Sequence, residues 1–168
     1  APDGGAVGEC AMSKWWELQE RHYLSKGCCV ASCAYHPATR ILVVGFARGF
    51  FSLYEMPGCN EVHTLSISES RVDAAAIAPT GDWLAFGCRQ FGQLLVWEWQ
   101  SETHVLKQQG HYFAEVEALA YSPGGAVVAT GGGDGKVKLW SPSSGFCFVT
   151  FFEHTAPVSG VAFVPHGR

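Results

Sequence analysis

Three places in the sequence hold residue types that could do chemistry. Cys28, Cys29 and Cys33 lie close together with His36 just behind, and thiolate plus imidazole is the donor set of a zinc site. The run GGGDGK at 131–136 puts one carboxylate, Asp134, in a glycine turn that ends on lysine, as a phosphate- or metal-binding loop would. Seven histidines supply the residue most often used as a general base. Each fails on spacing or context. A structural zinc site needs four ligands, and no second pair at CxxC spacing follows. A phosphate loop needs GxxxxGK[ST] opening a helix, whereas GGGDGK runs straight into VKLW, which has the pattern of a strand. His22, His36, His63, His104, His111, His154 and His166 are scattered, and no serine sits in a GxSxG elbow. The Ser-Gly pairs, Ser144-Gly145 and Ser159-Gly160, fall in a turn and at a strand start. No catalytic, metal-binding or cofactor-binding residue is therefore expected, and no small-molecule substrate.

Composition sets the bounds. The 168 residues are 48% hydrophobic and 15% charged, enough for a folded core. A formal charge of −4 gives no global field attracting nucleic acid. No window approaches ~18 consecutive apolar residues, so no transmembrane helix is expected. The opening APDGGAVGEC lacks the charged and apolar regions of a signal peptide, and it begins on Ala, so the natural N-terminus is expected upstream. Seven cysteines, odd in number and irregular in spacing, are expected to be reduced and to act as small apolar residues of a cytosolic or nuclear protein.

What positions Asp134 becomes clear from self-comparison. GFARGFFSLYEM, RQFGQLLVWEW and GGGDGKVKLW align on Tyr54, Trp97 and Trp140, which are spaced by 43 and 43. A residue–proline pair recurs upstream, at His36-Pro37, Ala78-Pro79, Ser122-Pro123 and Val164-Pro165, with prolines spaced by 42, 44 and 42. His111 and His154 are also 43 apart. Within one period, Val116 to Tyr121 alternates, SPGG turns, Ala126 to Thr130 is β-rich, GGGDG turns, Val137 to Trp140 is a third strand and Phe146 to Phe152 a fourth. Four strands in about 43 residues, with no room for a helix, predict an all-β chain of β-propeller blades.

The GH at 110–111, the SPGG turn and GGGDGKVKLW resemble WD40 repeats. That resemblance implies a buried hydrogen-bonded set in which His111, Thr130, Asp134 and Trp140 take part: imidazole to carboxylate, imidazole to hydroxyl, indole to hydroxyl. On this reading Asp134 is a structural member of a tetrad and not a ligand. The chain departs from the pattern in two ways. Trp140 is followed by Ser141 and Trp97 by Glu98, so the Asp of the WD pair is absent. The earlier units lack the GH pair and the turn Asp, so one complete tetrad is expected, with the other blades held by apolar packing.

The fold expected is an incomplete WD40 β-propeller of about three full four-stranded blades plus partial ones. Blade units span roughly 28–67, 68–110 and 111–154, with a partial unit at 155–168 whose Val158 to Pro165 would be a first strand. Residues 1–13 are expected to be flexible, ahead of a propeller part at 14–168, and SKWWELQERHYL suits a helix or a strand equally. Three blades cannot close a ring, which normally needs at least about four, so a longer parent protein is expected.

GDWLAFGC, GQLLVWEWQSETHVLKQQGH, SGFCFVTFFEHTAPVSGV and HTLSIS resemble, more particularly, the periodic-tryptophan family of eukaryotic nucleolar WD40 proteins. Trp99, following Trp97 on the same strand face, is a feature that ordinary WD40 repeats do not require. The resemblance implies a non-enzymatic scaffold in the nucleolus, part of a complex of several WD40 proteins. That complex, the small-subunit processome, associates with precursor ribosomal RNA and the U3 small nucleolar RNA particle, contacts that for this chain would be indirect, and supports rRNA processing and assembly of the 40S subunit. The rival readings are an adaptor or substrate receptor of a ubiquitin ligase or signalling complex, a direct RNA-binding module, and last an enzyme on a propeller. The candidate interaction rim comprises the loops before first strands and the turns between second and third strands, carrying Arg48, Arg89, Phe91, Tyr112 and Phe113. Tyr112 and Phe113 are as well explained by folding back over neighbouring blades. Most other aromatics fall at alternating strand positions, where packing between blades outranks base stacking.

Overall fold

The structure, a computed structural model, describes residues 24, 27–88, 92–101, 103–111 and 114–164, the side chains of 103–106 excepted. Residues 1–13 and all of SKWWELQERHYL but Leu24 lie outside the described residues. The rest form three four-stranded antiparallel sheets, each a simple meander, and no helix occurs among the described residues. The first sheet holds β1 (Val30–His36), β2 (Ile41–Phe46), β3 (Phe50–Glu55) and β4 (Asn60–Ser66). The second holds β5 (Val72–Ile77), β6 (Trp83–Cys88), β7 (Gln93–Glu98) and β8 (Thr103–Gln109). The third holds β9 (Val116–Tyr121), β10 (Val128–Gly132), β11 (Val137–Trp140) and β12 (Cys147–Phe151).

Period-2 alternation explains how sheets stack as blades. In the middle sheet, Leu84, Phe86, Leu95 and Trp97 face the first sheet, where Ile41, Val43, Phe51 and Leu53 meet them. The residues between, Ala85, Leu94 and Val96, face the third sheet and meet Val128 and Trp140. A strand buried on both faces reads as a nearly continuous apolar run, which is why WLAFGC and QLLVWE show no polar face. Each periodic aromatic sits beside a β-bulge: the ladder shifts between Leu53 and Tyr54, between Val96 and Trp97, and between Leu139 and Trp140. An extra residue there increases the local twist that a blade needs.

A second periodic device consists of residues too small to stand out. Gly45, Gly87 and Gly131 lie on the second strands, and a Cβ built on each would come 2.7–2.8 Å from a Cγ1 of Val72, Val116 and Val158 respectively. Each valine opens the stretch that follows the glycine's sheet, so each glycine marks a close approach between a sheet and the stretch after it. Gly49, Gly92 and Gly135, at φ +77, +56 and +72°, turn the second strand into the third against the carbonyls of Ser68, His111 and His154.

The last unit differs from expectation. Residues 158–164 are not a strand, and Pro165 lies outside the described residues. Val158 nonetheless takes the place of Val72 and Val116: its amide donates to the Gly132 carbonyl at 3.0 Å and its side chain covers Gly131. A strand exists through its ladder partners, and no described strand pairs with this segment.

The seam is testable. Gly87→Ala would force Cβ against Val116 Cγ1 at 2.7 Å and Ala74 Cβ at 3.3 Å. The expected cost is about 1–3 kcal/mol, the usual scale for overpacking a core, read as a lower urea midpoint at unchanged slope. Gly124→Ala, with nothing within 4 Å, is the control and should change the midpoint little.

Candidate functional site

The four tetrad residues come from four different segments, and the fold brings all of them together. His111 precedes β9, Thr130 lies on β10, Asp134 in the turn after it, and Trp140 ends β11. His111 and Thr130 are both fully buried. His111 Nδ1 is 2.9 Å from Asp134 Oδ1, and Nε2 is 3.0 Å from Thr130 Oγ1. Trp140 Nε1 donates to the same hydroxyl oxygen at 2.9 Å, and the Lys136 amide donates to Asp134 Oδ1 at 3.2 Å.

One assignment of protons satisfies every member. The carboxylate can only accept, so Nδ1 carries the hydrogen. Nε2 then accepts from the Thr130 hydroxyl, whose oxygen accepts from the indole. Burial lowers the His111 pKa, and the pull of Asp134 in the other direction does not overcome it. Burial raises the Asp134 carboxyl, yet hydrogen bonds from His111 and the Lys136 amide outweigh it and hold the group below the usual carboxylate value. A neutral imidazole pinned between a carboxylate and a hydroxyl resembles part of a hydrolase triad, but here the hydroxyl is fully buried and occupied by an indole. The arrangement ties β10 and β11 to the loop from the preceding blade.

The ladder shows what the other blades use instead. Trp140 pairs with Val128, Trp97 with Leu84 and Tyr54 with Leu42, so Thr130, two residues on, corresponds to Phe86 and Val44. Phe86 stacks on Phe51 at 4.4 Å, and Trp97 meets Phe51 edge-on at 5.1 Å. Trp97 Nε1 is buried with no hydrogen-bond partner among the described residues, as expected where an apolar ring replaces the hydroxyl.

Of the candidate rim, Arg48 is exposed in the turn between β2 and β3. Arg89, Phe91, Tyr112 and Phe113 lie outside the described residues. Among the described residues no group of three or more His, Cys, Asp or Glu has the arrangement of a metal site. Cys88 is buried, and Cys28 and Cys147 pack against apolar clusters, whereas Cys29 and Cys33 are exposed and do not serve as small apolar core residues. β1 is the first strand of its sheet and is only partly covered, which leaves Cys33 open.

Two contacts at the opposite rim went unread in the sequence. His36 Nε2 donates to the Pro79 carbonyl at 3.0 Å, bridging the first two blades, with Nδ1 held by Thr39 at 2.8 Å. Trp99 lies just past β7, packs with the Trp97 face and donates Nε1 to the Gly81 carbonyl at 2.8 Å. The separation of 43 between His36 and Pro79 is the signal that could have exposed the bridge.

Stacked meander sheets on a common period, with this buried set in one of them, define a WD40 β-propeller chain, and the chain belongs to the WD40-repeat family. The profile of the WD domain, G-beta repeat, matches residues 101–141. More particularly, the sequence is similar to the mouse periodic tryptophan protein 2 homolog, 61% identical over 125 residues, 74% of this chain and 14% of that protein. The Dictyostelium discoideum homolog is 52% identical over 138 residues, 82% of this chain and 15% of that protein. The chain thus spans about one-seventh of these relatives' length. Among solved structures, a chain of the mitotic checkpoint complex superposes with TM-score 0.76 at 26% identity, covering 84% of this chain and 42% of that one.

Thr130→Val keeps the shape while removing the hydroxyl that two partners share. It should cost roughly 1–3 kcal/mol of unfolding free energy, the scale of a buried group left unsatisfied. The pH dependence has a definite sign. Both His111 and Asp134 have folded pKa values below their ordinary 6.5 and 3.8, so the unfolded chain binds protons first as pH falls. The His111 contribution is fully present above about pH 6.5 and is lost as the pH drops through its lowered folded value; the Asp134 contribution follows below about 3.8. Urea midpoints at pH 7.5 and 5.5 should differ less in His111→Gln than in the parent protein.

Proposed function

We propose that this chain is part of a non-enzymatic WD40 scaffold that works in the nucleolus, supporting ribosomal RNA processing and assembly of the 40S subunit within the small-subunit processome. The observation that carries this reading is the 61% identity to a periodic tryptophan protein 2 homolog, far beyond what a shared propeller requires. Those homologues carry the name of the family that the sequence stretches suggested, and a scaffold suits a chain whose buried tetrad is used up in holding blades together. Contact with precursor RNA and the U3 particle is then indirect, through other WD40 proteins of the same complex.

The test is gentle-salt purification of the tagged full-length protein from cells, with proteins identified by mass spectrometry and RNA probed for U3 and ribosomal precursor. Both RNAs are expected, with other nucleolar WD40 proteins. Recovery of a ubiquitin-ligase core or a signalling complex, with neither RNA, would overturn the reading in favour of the adaptor alternative. The rim of Arg48, Arg89, Phe91, Tyr112 and Phe113 is the proposed contact surface. Arg89→Ala combined with Phe91→Ala should reduce recovery of the partners while leaving the thermal midpoint nearly unchanged; loss of folding would make these residues core.

A further inference from the structure

The two blade seams in this chain are built from equivalent positions but are not equally filled. At the rim formed by the turns between first and second strands, the seam between the first and second blades holds two rings of the chain itself. His36 reaches the Pro79 carbonyl, and Trp99 donates to the Gly81 carbonyl. In the next seam the residue before the turn proline is Ala78 where the first blade has His36, and the residue two beyond the periodic aromatic is Pro142 where the second blade has Trp99.

The difference is visible in the turn glycines. A Cβ on Gly81 would run into Thr39 at 2.5 Å and His36 at 3.0 Å, while one on the corresponding Gly125 would meet only Pro79 Cδ at 3.7 Å. The two positions are equivalent by their hydrogen bonds: Gly81 donates to Ala78 and Gly125 to Ser122, both at the start of the turn. Where the rings are missing there is a cleft of about 290 Å³, with Ala78, Trp83, Tyr121, Gly125 and Pro142 among its walls. The Tyr121 hydroxyl is buried with no partner among the described residues. No side-chain donor among the described residues reaches the carbonyls of Pro123 or Gly125.

We propose that this cleft is a docking pocket for one flat, nitrogen-bearing side chain, a tryptophan or histidine, presented by a partner protein. The chain's own solution in the neighbouring seam states the chemistry: a ring between two blades, with a ring N–H donated to a turn carbonyl. Trp83 and Tyr121 offer apolar faces for such a ring, and backbone carbonyls offer acceptors. A nucleobase is also flat and bears nitrogen, but it arrives with a phosphate, and every described residue lining the cleft is uncharged. Strand-binding sites for nucleic acid place cations along the backbone path, so the uncharged wall favours a protein side chain. This inference is independent of the ribosome-assembly reading, because it rests on the cleft alone.

The test uses the full-length protein and ligand-observed ¹⁹F relaxation of 5-fluoroindole, with 5-fluorouridine monophosphate as the nucleotide probe. The indole should broaden saturably and be displaced by 3-methylindole. The broadening should vanish in Ala78→His and in Pro142→Trp, each of which supplies a missing ring from within, with thermal midpoints equal to or above the parent's. It should persist in Val62→Thr, an exposed β4 position outside the cleft. Indole broadening that does not saturate, or that survives in a folded ring-supplying variant, would overturn the proposal. Saturable broadening of the nucleotide alone would transfer the pocket to an RNA base.

Discussion

Everything in this structure depends on how closely two twisted sheets approach along the seam between them. A blade is apolar on both faces, so it is stable only between neighbours, and the approach is close where Gly45, Gly87 and Gly131 receive Val72, Val116 and Val158. A methyl group at Gly45 or Gly87 would push the sheets apart and open the contacts along the seam. The large rings, Phe51 on Phe86 and Trp97 against Phe51, fill the seam only at the separation those glycines set.

The tetrad is one answer to a problem that each blade solves separately: what to place beneath the periodic aromatic. The third blade uses polar closure, with Thr130 shared between His111 and Trp140 and Asp134 holding the imidazole. The second uses Phe86 and leaves the Trp97 N–H without a partner among the described residues. The first uses Val44 beneath Tyr54. Apolar filling gains area and adapts to any ring. Polar closure fixes one geometry and one tautomer, and it carries a pH dependence with it. In the third blade that dependence comes from His111 and Asp134, both held below their ordinary pKa values.

The two rims divide the work. One carries the tetrad loops and Arg48; at the other, His36 bridges one seam, Trp99 packs beside it, and the next seam is left open. Surface chemistry in a propeller comes from such departures between repeats, since the repeated positions are spent on stacking.

The blades, their strand order and the tetrad were legible in the sequence because each has a local signature. Alternation marks strands, X-Pro marks the turn, and large aromatics 43 apart mark the third strand whatever lies around them. His111, Thr130, Asp134 and Trp140 were legible through the resemblance of GH, the SPGG turn and GGGDGKVKLW to WD40 repeats. Tertiary structure alone decided what sits in each seam. A glycine carries no trace of the valine it will receive, and nothing in HPATR or VWEWQ says that His36 and Trp99 close a rim. Val158 shows the same limit: VSGVAFVP alternates like a strand, but with no described strand pairing with it the segment covers Gly131 without joining a sheet. Local pattern sets which residues can form a sheet; the distance between two sheets, a property of pairs far apart in the chain, sets what fills the space between them.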